Sequence, residues 1–160
     1  MLPVMDMDNR IPVFLHEIEE DTNGWIEKEI RVIGILKYTQ IRTATAIIEQ
    51  YLNHSKHRLI VDTLLVGNIT IQHNTNDVVE IMGKLTWDDT SGPSRYSQLP
   101  PEFQVKLSEE RVPVIRAHII RDAQGMNMPL YQEVVKLRRQ FESNVNELLE
   151  NEGYEIILIT

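Results

Sequence analysis

Along most of the chain, apolar residues gather in short β-branched runs separated by polar turns; beyond Gly125 they recur at helical spacing instead. The runs Ile30–Tyr38, Thr43–Glu49, Arg58–Asp62, Val78–Trp87 and Val112–Ile120 each predict a strand. Gly34 and Gly83 fall inside two of them, where a glycine signals a bulge or the sharp bend of a small barrel. Pro12–Glu20 predicts a short helix that ends before the turn signal Asp21-Thr22-Asn23-Gly24. Thr63–Ile71 reads either as a short helix or as an irregular crossover. Asp88–Arg111, with Gly92, Pro93, Pro100 and Pro101, predicts a long polar loop. Loops beyond about 15 residues are usually functional or disordered.

The segment Gly125-Met126-Asn127-Met128-Pro129-Leu130 turns the fifth strand into a helix predicted over 129–150. Pro129 suits a first helical turn, where the N–H it lacks would be unpaired anyway. From Leu130 the apolar positions are Val134, Leu137, Phe141, Val145 and Leu148, a stripe roughly 80° wide at about 100° per residue. Most such stripes pack into the protein's own core. This one is narrow enough to suit a single facing helix, and about 33 Å of helix exceeds what a small barrel covers. The expectation is a shared role, in which the first turns dock on the barrel and the rest, with Arg138 beside it, meets a partner. Gly153 predicts the helix stop, and residues 151–160 an apolar tail of strand-like composition.

Five strands, a connection after the third and a long loop between the fourth and fifth predict an all-β OB-fold. This is a five-stranded Greek-key barrel with a short N-terminal helix and a long C-terminal α-helix. A β-sandwich would need more strands and an α/β fold more helices. Residues 1–11 read as a flexible tail and 12–150 as the one domain.

Composition narrows the chemistry. The chain has 160 residues, 16 Lys+Arg against 24 Asp+Glu, and a net charge of −8, so its average field repels a phosphate backbone. The acids crowd the N-terminal segment while the bases fall later, which leaves a local basic face open. No apolar run approaches the roughly 20 residues of a membrane helix. Zero cysteines exclude disulfides, thiolate zinc sites and cysteine nucleophiles. With no basic flank and apolar core at the start of the chain, an intracellular address is expected.

OB-folds bind single strands by stacking bases on aromatics beside basic residues. The candidates are Tyr38, Arg42, Arg58, Lys84, Trp87 and Tyr96. Barrel core or rim positions are the alternative for Tyr38 and Trp87. Given the charge, a contribution within a complex is expected rather than independent affinity. His54-x-x-His57 lacks a third ligand at metal-binding spacing and reads as a pair of solvated turn histidines. Asp88-Asp89 and Glu109-Glu110 read as solvated carboxylates, and no serine has a nucleophile-elbow context. No catalytic residue, cofactor or metal is expected; an enzyme built on a barrel is the competing class.

The run Val114-Ile115-Arg116-Ala117-His118-Ile119-Ile120 followed by Gly125-Met126-Asn127-Met128-Pro129-Leu130 resembles the Ten-one family, the smallest subunit of the CST telomere-capping complex. The order of apolar and polar residues from Leu59 to Leu85 fits the same family's third and fourth strands. The likeness spans residues 12–142, and a more distant one is to the smallest subunit of replication protein A. The resemblance implies an OB-fold subunit whose C-terminal helix pairs with a larger Stn-one-like OB-fold subunit. Through it the chain would join a large single-strand-binding subunit on telomeric DNA, supporting capping and end replication in the nucleus, at the telomeric region of chromosomes. It places Leu130, Val134 and Phe141 at the helix interface, Phe141 on an aromatic position of the family. The 88–111 loop is longer than the family pattern and the segment 143–160 extends past it, so a lineage-specific partner stays open beside the standard one. The alternative is the small subunit of a replication-protein-A-like trimer in general replication and repair.

Overall fold

The computed structural model describes residues 10–52, 54–90, 95–104 and 110–152. Its elements are β1 (Ile11–Pro12), α1 (Leu15–Glu20), α2 (Thr22–Trp25), β2 (Glu29–Gln40), β3 (Thr45–Leu52), β4 (Ser55–Asp62), β5 (Val78–Asp89), β6 (Arg111–Asp122) and α3 (Met128–Glu152). All five predicted strands form, and most extend beyond their apolar runs because ladder pairing continues through polar residues such as Gln40, Ser55 and Asp122. Residues Arg10–Gln124 form one compact unit, and the helix after Gly125 belongs to another.

The sheet runs β2–β3–β4–β6–β5 and closes by antiparallel pairing of β5 with β2, which makes it the OB-fold barrel. Within this closed sheet β4 and β6 run parallel, and they pair over a short stretch, Ile60–Asp62 against Val114–Arg116. Alternate residues point inward, so Val32, Ile48, Val61, Ile81, Leu85 and Ile115 share the barrel core. Closure is sharpest where β5 shifts register against β6 between Met82 and Gly83. A β carbon on Gly83 would overlap the Arg116 carbonyl, so only glycine lets the two backbones approach there. Gly34 does the same more gently on β2, with the Glu49 carbonyl 3.0 Å from where its β carbon would sit.

Gln50 anchors the N-terminal segment from inside β3. Its buried carboxamide accepts from the Leu15 N–H at 3.0 Å and donates to the Ile33 carbonyl at 3.0 Å. The start of α1 therefore has a buried side-chain partner, as a helix end withdrawn from water requires.

Several readings need correcting. Ile11 and Pro12 are a strand paired parallel with Ile30 and Arg31, because the extended segment finds a free edge of β2. The predicted short helix spans only Leu15–Glu20, and Asp21-Thr22-Asn23-Gly24 opens α2, whose Gly24 N–H donates to the Asp21 carboxylate at 3.2 Å. Of the two readings open for residues 63–71, the irregular connection is the one that forms, a turn followed by a 3-10 turn at Ile69–Ile71. His57 lies in β4 with Nδ1 2.7 Å from a Glu19 carboxylate oxygen, so it is not a turn histidine; His54 occupies the turn at φ +65°. Residues 1–9, Gly153 and the apolar tail beyond it lie outside the described residues.

Gly83→Ala is expected to destabilise the barrel by about 1–3 kcal/mol, the usual range for overpacking against a backbone that cannot yield. Thermal or urea melting of the variant measures this directly. A change within experimental error would mean that the approach to Arg116 does not constrain closure.

Candidate interaction surfaces

Helix α3 begins at a built N-terminus. Gly125 takes φ +81°, a left-handed turn that favours glycine, and the Asn127 carboxamide accepts from the Leu130 N–H at 3.1 Å. The 25 residues of the helix make it about 37 Å long. Leu130, Val134, Leu137, Phe141 and Leu148 are all more than half exposed, at 59%, 54%, 61%, 67% and 61%. They line one side of the helix, and Val145 at the margin of the stripe is half-buried. Arg138 donates to the Glu142 carboxylate at 3.0 Å in an i,i+4 pair beside the stripe. Such a pair is worth only about 0.3–0.5 kcal/mol and is easily exchanged for another partner. Val135 is buried, with Met128, Tyr131 and Leu149 half-buried, on a second side of the helix that the stripe periodicity did not include.

The outer face of the barrel is a different kind of surface. Thr45 through Gln50 are all buried, although the inward positions of β3 alternate with outward ones. The outward residues Ile47 and Ile60 join Val112 and Val114 in a second apolar cluster, distinct from the barrel core. The cover comes from the loop between β5 and β6. Its described part forms 3-10 turns at Arg95–Gln98 and Pro101–Phe103, and Tyr96 and Leu99 are 5% and 4% exposed. Tyr38 and Phe103 sit at the border of this cluster with ring centroids 5.8 Å apart. The expectation of a purely polar loop is thus corrected: Tyr96, Leu99 and Phe103 are spaced so that one short coil seats all three on the sheet.

Charged groups fix the coil in place. Arg95 Nη2 donates to the carboxylates of Asp62 at 2.9 Å and Asp88 at 3.1 Å, and Nη1 donates to the Thr43 carbonyl at 3.2 Å. The guanidinium therefore ties the loop to β4, to β5 and to the β2–β3 turn at once. Its Nε donates to the Tyr96 hydroxyl at 3.1 Å, and that hydroxyl donates onward to Asp88. Arg58 holds the far end, with Nε 2.6 Å from Glu49, Nη1 2.6 Å from the Glu102 carbonyl and its guanidinium carbon 4.8 Å from the Phe103 ring centre. Burial acts to raise the carboxyl of Asp88, but hydrogen bonds from Tyr96, Arg95 and the Asp89 N–H outweigh it and hold Asp88 below its ordinary range. Burial likewise acts on Glu49, where the hydrogen bond and charge of Arg58 prevail and lower it. Burial and then the Asp88 hydrogen bond push the Tyr96 hydroxyl up.

The six nucleic-acid candidates are therefore not one platform. Tyr38, Arg58 and Tyr96 meet around the seated loop, with Tyr96 buried in it. Tyr96 is 5% exposed, with the Arg95 guanidinium carbon 5.3 Å from its ring centre. Trp87 lies apart under the Arg111 guanidinium, whose carbon is 4.1 Å from the ring centre, beside a groove of about 570 Å³ that Arg58 also lines. Lys84 sits 3.5 Å from Glu27 on β5, and Arg42 is exposed in the β2–β3 turn. Among the described residues no group of three or more His, Asp or Glu side chains is placed to hold a metal ion. No described helix is long and apolar enough to cross a membrane.

The profile of the telomere-capping, CST complex subunit family matches residues 7–145. Comparison with curated protein sequences gives no match. Among solved structures, the telomere capping protein Ten1 from Saccharomyces pombe is similar at 14% identity and a TM-score of 0.52, over 82% of this chain and 98% of that one. A chain of the S. pombe Stn1–Ten1 complex is similar at 14% identity and a TM-score of 0.50, over 84% and 95%. A chain of U. maydis replication protein A bound to single-stranded DNA is similar at 12% identity and a TM-score of 0.50, over 84% and 93%. At these identities the structural likenesses establish the fold.

The ionic network predicts how the seated loop responds to pH. Asp88 and Glu49 are lowered, so their contribution is complete above their ordinary values of 3.8 and 4.5 and is lost as pH falls through the folded values. Tyr96 is raised, so its contribution is complete below 10.0 and is lost as pH rises beyond it. Melting temperature measured against pH should show a plateau between these limits. Tyr96→Phe should cost about 1 kcal/mol on the plateau and flatten the alkaline limb. An unchanged alkaline limb in that variant would remove Tyr96 from the network.

Proposed function

The chain belongs to the telomere-capping, CST complex subunit family, and from that premise we propose that it is a non-catalytic OB-fold subunit that pairs through α3 with a larger Stn1-like OB-fold subunit. Through that subunit it joins a large single-strand-binding partner and telomeric single-stranded DNA in the nucleus, supporting capping and end replication. The observation that carries this reading is the exposed stripe Leu130, Val134, Leu137, Phe141 and Leu148 on α3. Large apolar side chains aligned in this way mark a protein-binding surface. Helix-in-groove recognition uses anchors at the spacing they show. The solved S. pombe Stn1–Ten1 complex supplies the kind of partner the reading names.

The charge supports the same division of labour. At −8 the chain works against a phosphate backbone, and the acidic groups Glu49, Asp62 and Asp88 lie close to its outward-facing arginines. Affinity for single strands is therefore assigned to the complex. The likeness to replication protein A keeps a general replication trimer as the second assignment, and the identity of the larger subunit that co-purifies decides between the two.

Val134→Asp combined with Phe141→Asp is expected to abolish co-purification of the larger subunit. Two interface anchors replaced by charges cost on the order of 4 kcal/mol, roughly a thousand-fold in Kd. Because both side chains are exposed, the melting temperature of the isolated chain should stay within a few degrees of wild type. Retention of the partner by the folded double variant would reject α3 as the interface.

A further inference from the structure

OB-folds take single strands on the outer face of their second and third barrel strands, between the loop joining strands one and two and the loop joining strands four and five. In this chain those strands are β3 and β4, and the loops are 41–44 and 90–110. The described part of the second loop lies on that face: Tyr96 and Leu99 share the apolar cluster of Ile47 and Ile60, with Phe103 against its border. Arg95 joins the two loops across the face, from the Thr43 carbonyl to Asp62 and Asp88. The groups a nucleic acid would use there are already engaged, Tyr38 by the Phe103 ring and Arg58 by Phe103 and the Glu102 carbonyl.

We propose that residues 95–103 form a built-in strap that occupies the single-strand face as an internal ligand, latched by Arg95, so that single-stranded nucleic acid reaches this face only when the strap is released. The proposal rests on the barrel geometry and not on which larger subunit α3 binds. The Phe103 ring of the strap lies against Tyr38 and Arg58 as a stacked base would in an OB-fold complex. The carboxylates beneath it, Asp62 and Asp88, accept the Arg95 guanidinium and repel phosphate, so the strap is favoured over DNA in the resting chain.

The test uses the full chain with fluorescein-labelled oligothymidine at low salt. Leu99→Gly combined with Phe103→Ala, which removes two apolar anchors of the strap and leaves every charge in place, should speed amide exchange across 96–103 and tighten binding at least tenfold. Fast exchange in a folded variant whose affinity stays within twofold of wild type would overturn the proposal. A second measurement needs no variant: wild-type chain saturated with millimolar oligothymidine should exchange amides 96–103 faster than free chain. Binding that leaves those amides as protected as before would equally overturn it.

Discussion

Closure of the barrel depends on one backbone contact, the approach of Gly83 to the Arg116 carbonyl, and much else in the molecule follows from it. A long strand such as β5, paired to β6 along its length and to β2 in its first half, cannot join both neighbours without a bend. The register shift at Met82–Gly83 supplies that bend. Once closed, the sheet has an inside filled by Val32, Ile48, Ile81 and Ile115 and an outside that must be dealt with separately. The short parallel pairing of β4 with β6 holds the seam from the other side. It also lines up Asp62 with Arg116 and Ile60 with Val114, which sets the composition of the outer face.

That outer face sets a requirement of its own. Ile47, Ile60, Val112 and Val114 make its centre apolar, and such a centre is stable only when covered. Tyr96 and Leu99 cover it, and the Arg95 guanidinium brings its charge with it. Buried or half-buried carboxylates at Asp62 and Asp88 are tolerated because the guanidinium satisfies them. The −8 net charge and the occupied face act in the same direction. The charge disfavours phosphate at a distance, and the strap excludes it on contact.

The order of strands, the barrel, the glycine bends and the terminal helix were legible because each leaves a local signature: β-branched runs, glycine within a strand, proline in a first turn, apolar residues at helical period. The stripe on α3 was legible for the same reason, and the profile match over residues 7–145 extends the resemblance read from Val114–Leu130. The strap was not read, because its partners are remote: Arg95 meets Thr43, Asp62 and Asp88, and Arg58 reaches Glu102. A signal for it existed, however. Ala46-Ile47-Ile48 and Leu59-Ile60-Val61 are unbroken apolar runs in antiparallel strands, and such runs require cover on both faces. Tyr96, Leu99 and Phe103, at intervals of three and four in an otherwise polar loop, are the residues that provide it. His57 misled for the same reason as the strap, since its Glu19 partner comes from α1 and no local pattern announces it.

The stripe on α3 and the strapped face of the barrel also differ in how far the chain itself covers them. Tyr96 and Leu99 lose nearly all their exposure within the chain, whereas Leu130, Val134, Leu137, Phe141 and Leu148 retain more than half of theirs. At roughly 25 cal/mol per Å² of apolar area, an aligned row of such side chains represents several kcal/mol that burial against another protein would release. Their positions from Leu130 to Leu148 extend over about 27 Å of helix axis, the reach of a facing helix rather than of a single side-chain pocket. The outer face of the barrel has already used its apolar area on the strap and has little left to offer. Among the described residues, the long aligned row of exposed apolar side chains therefore lies on α3.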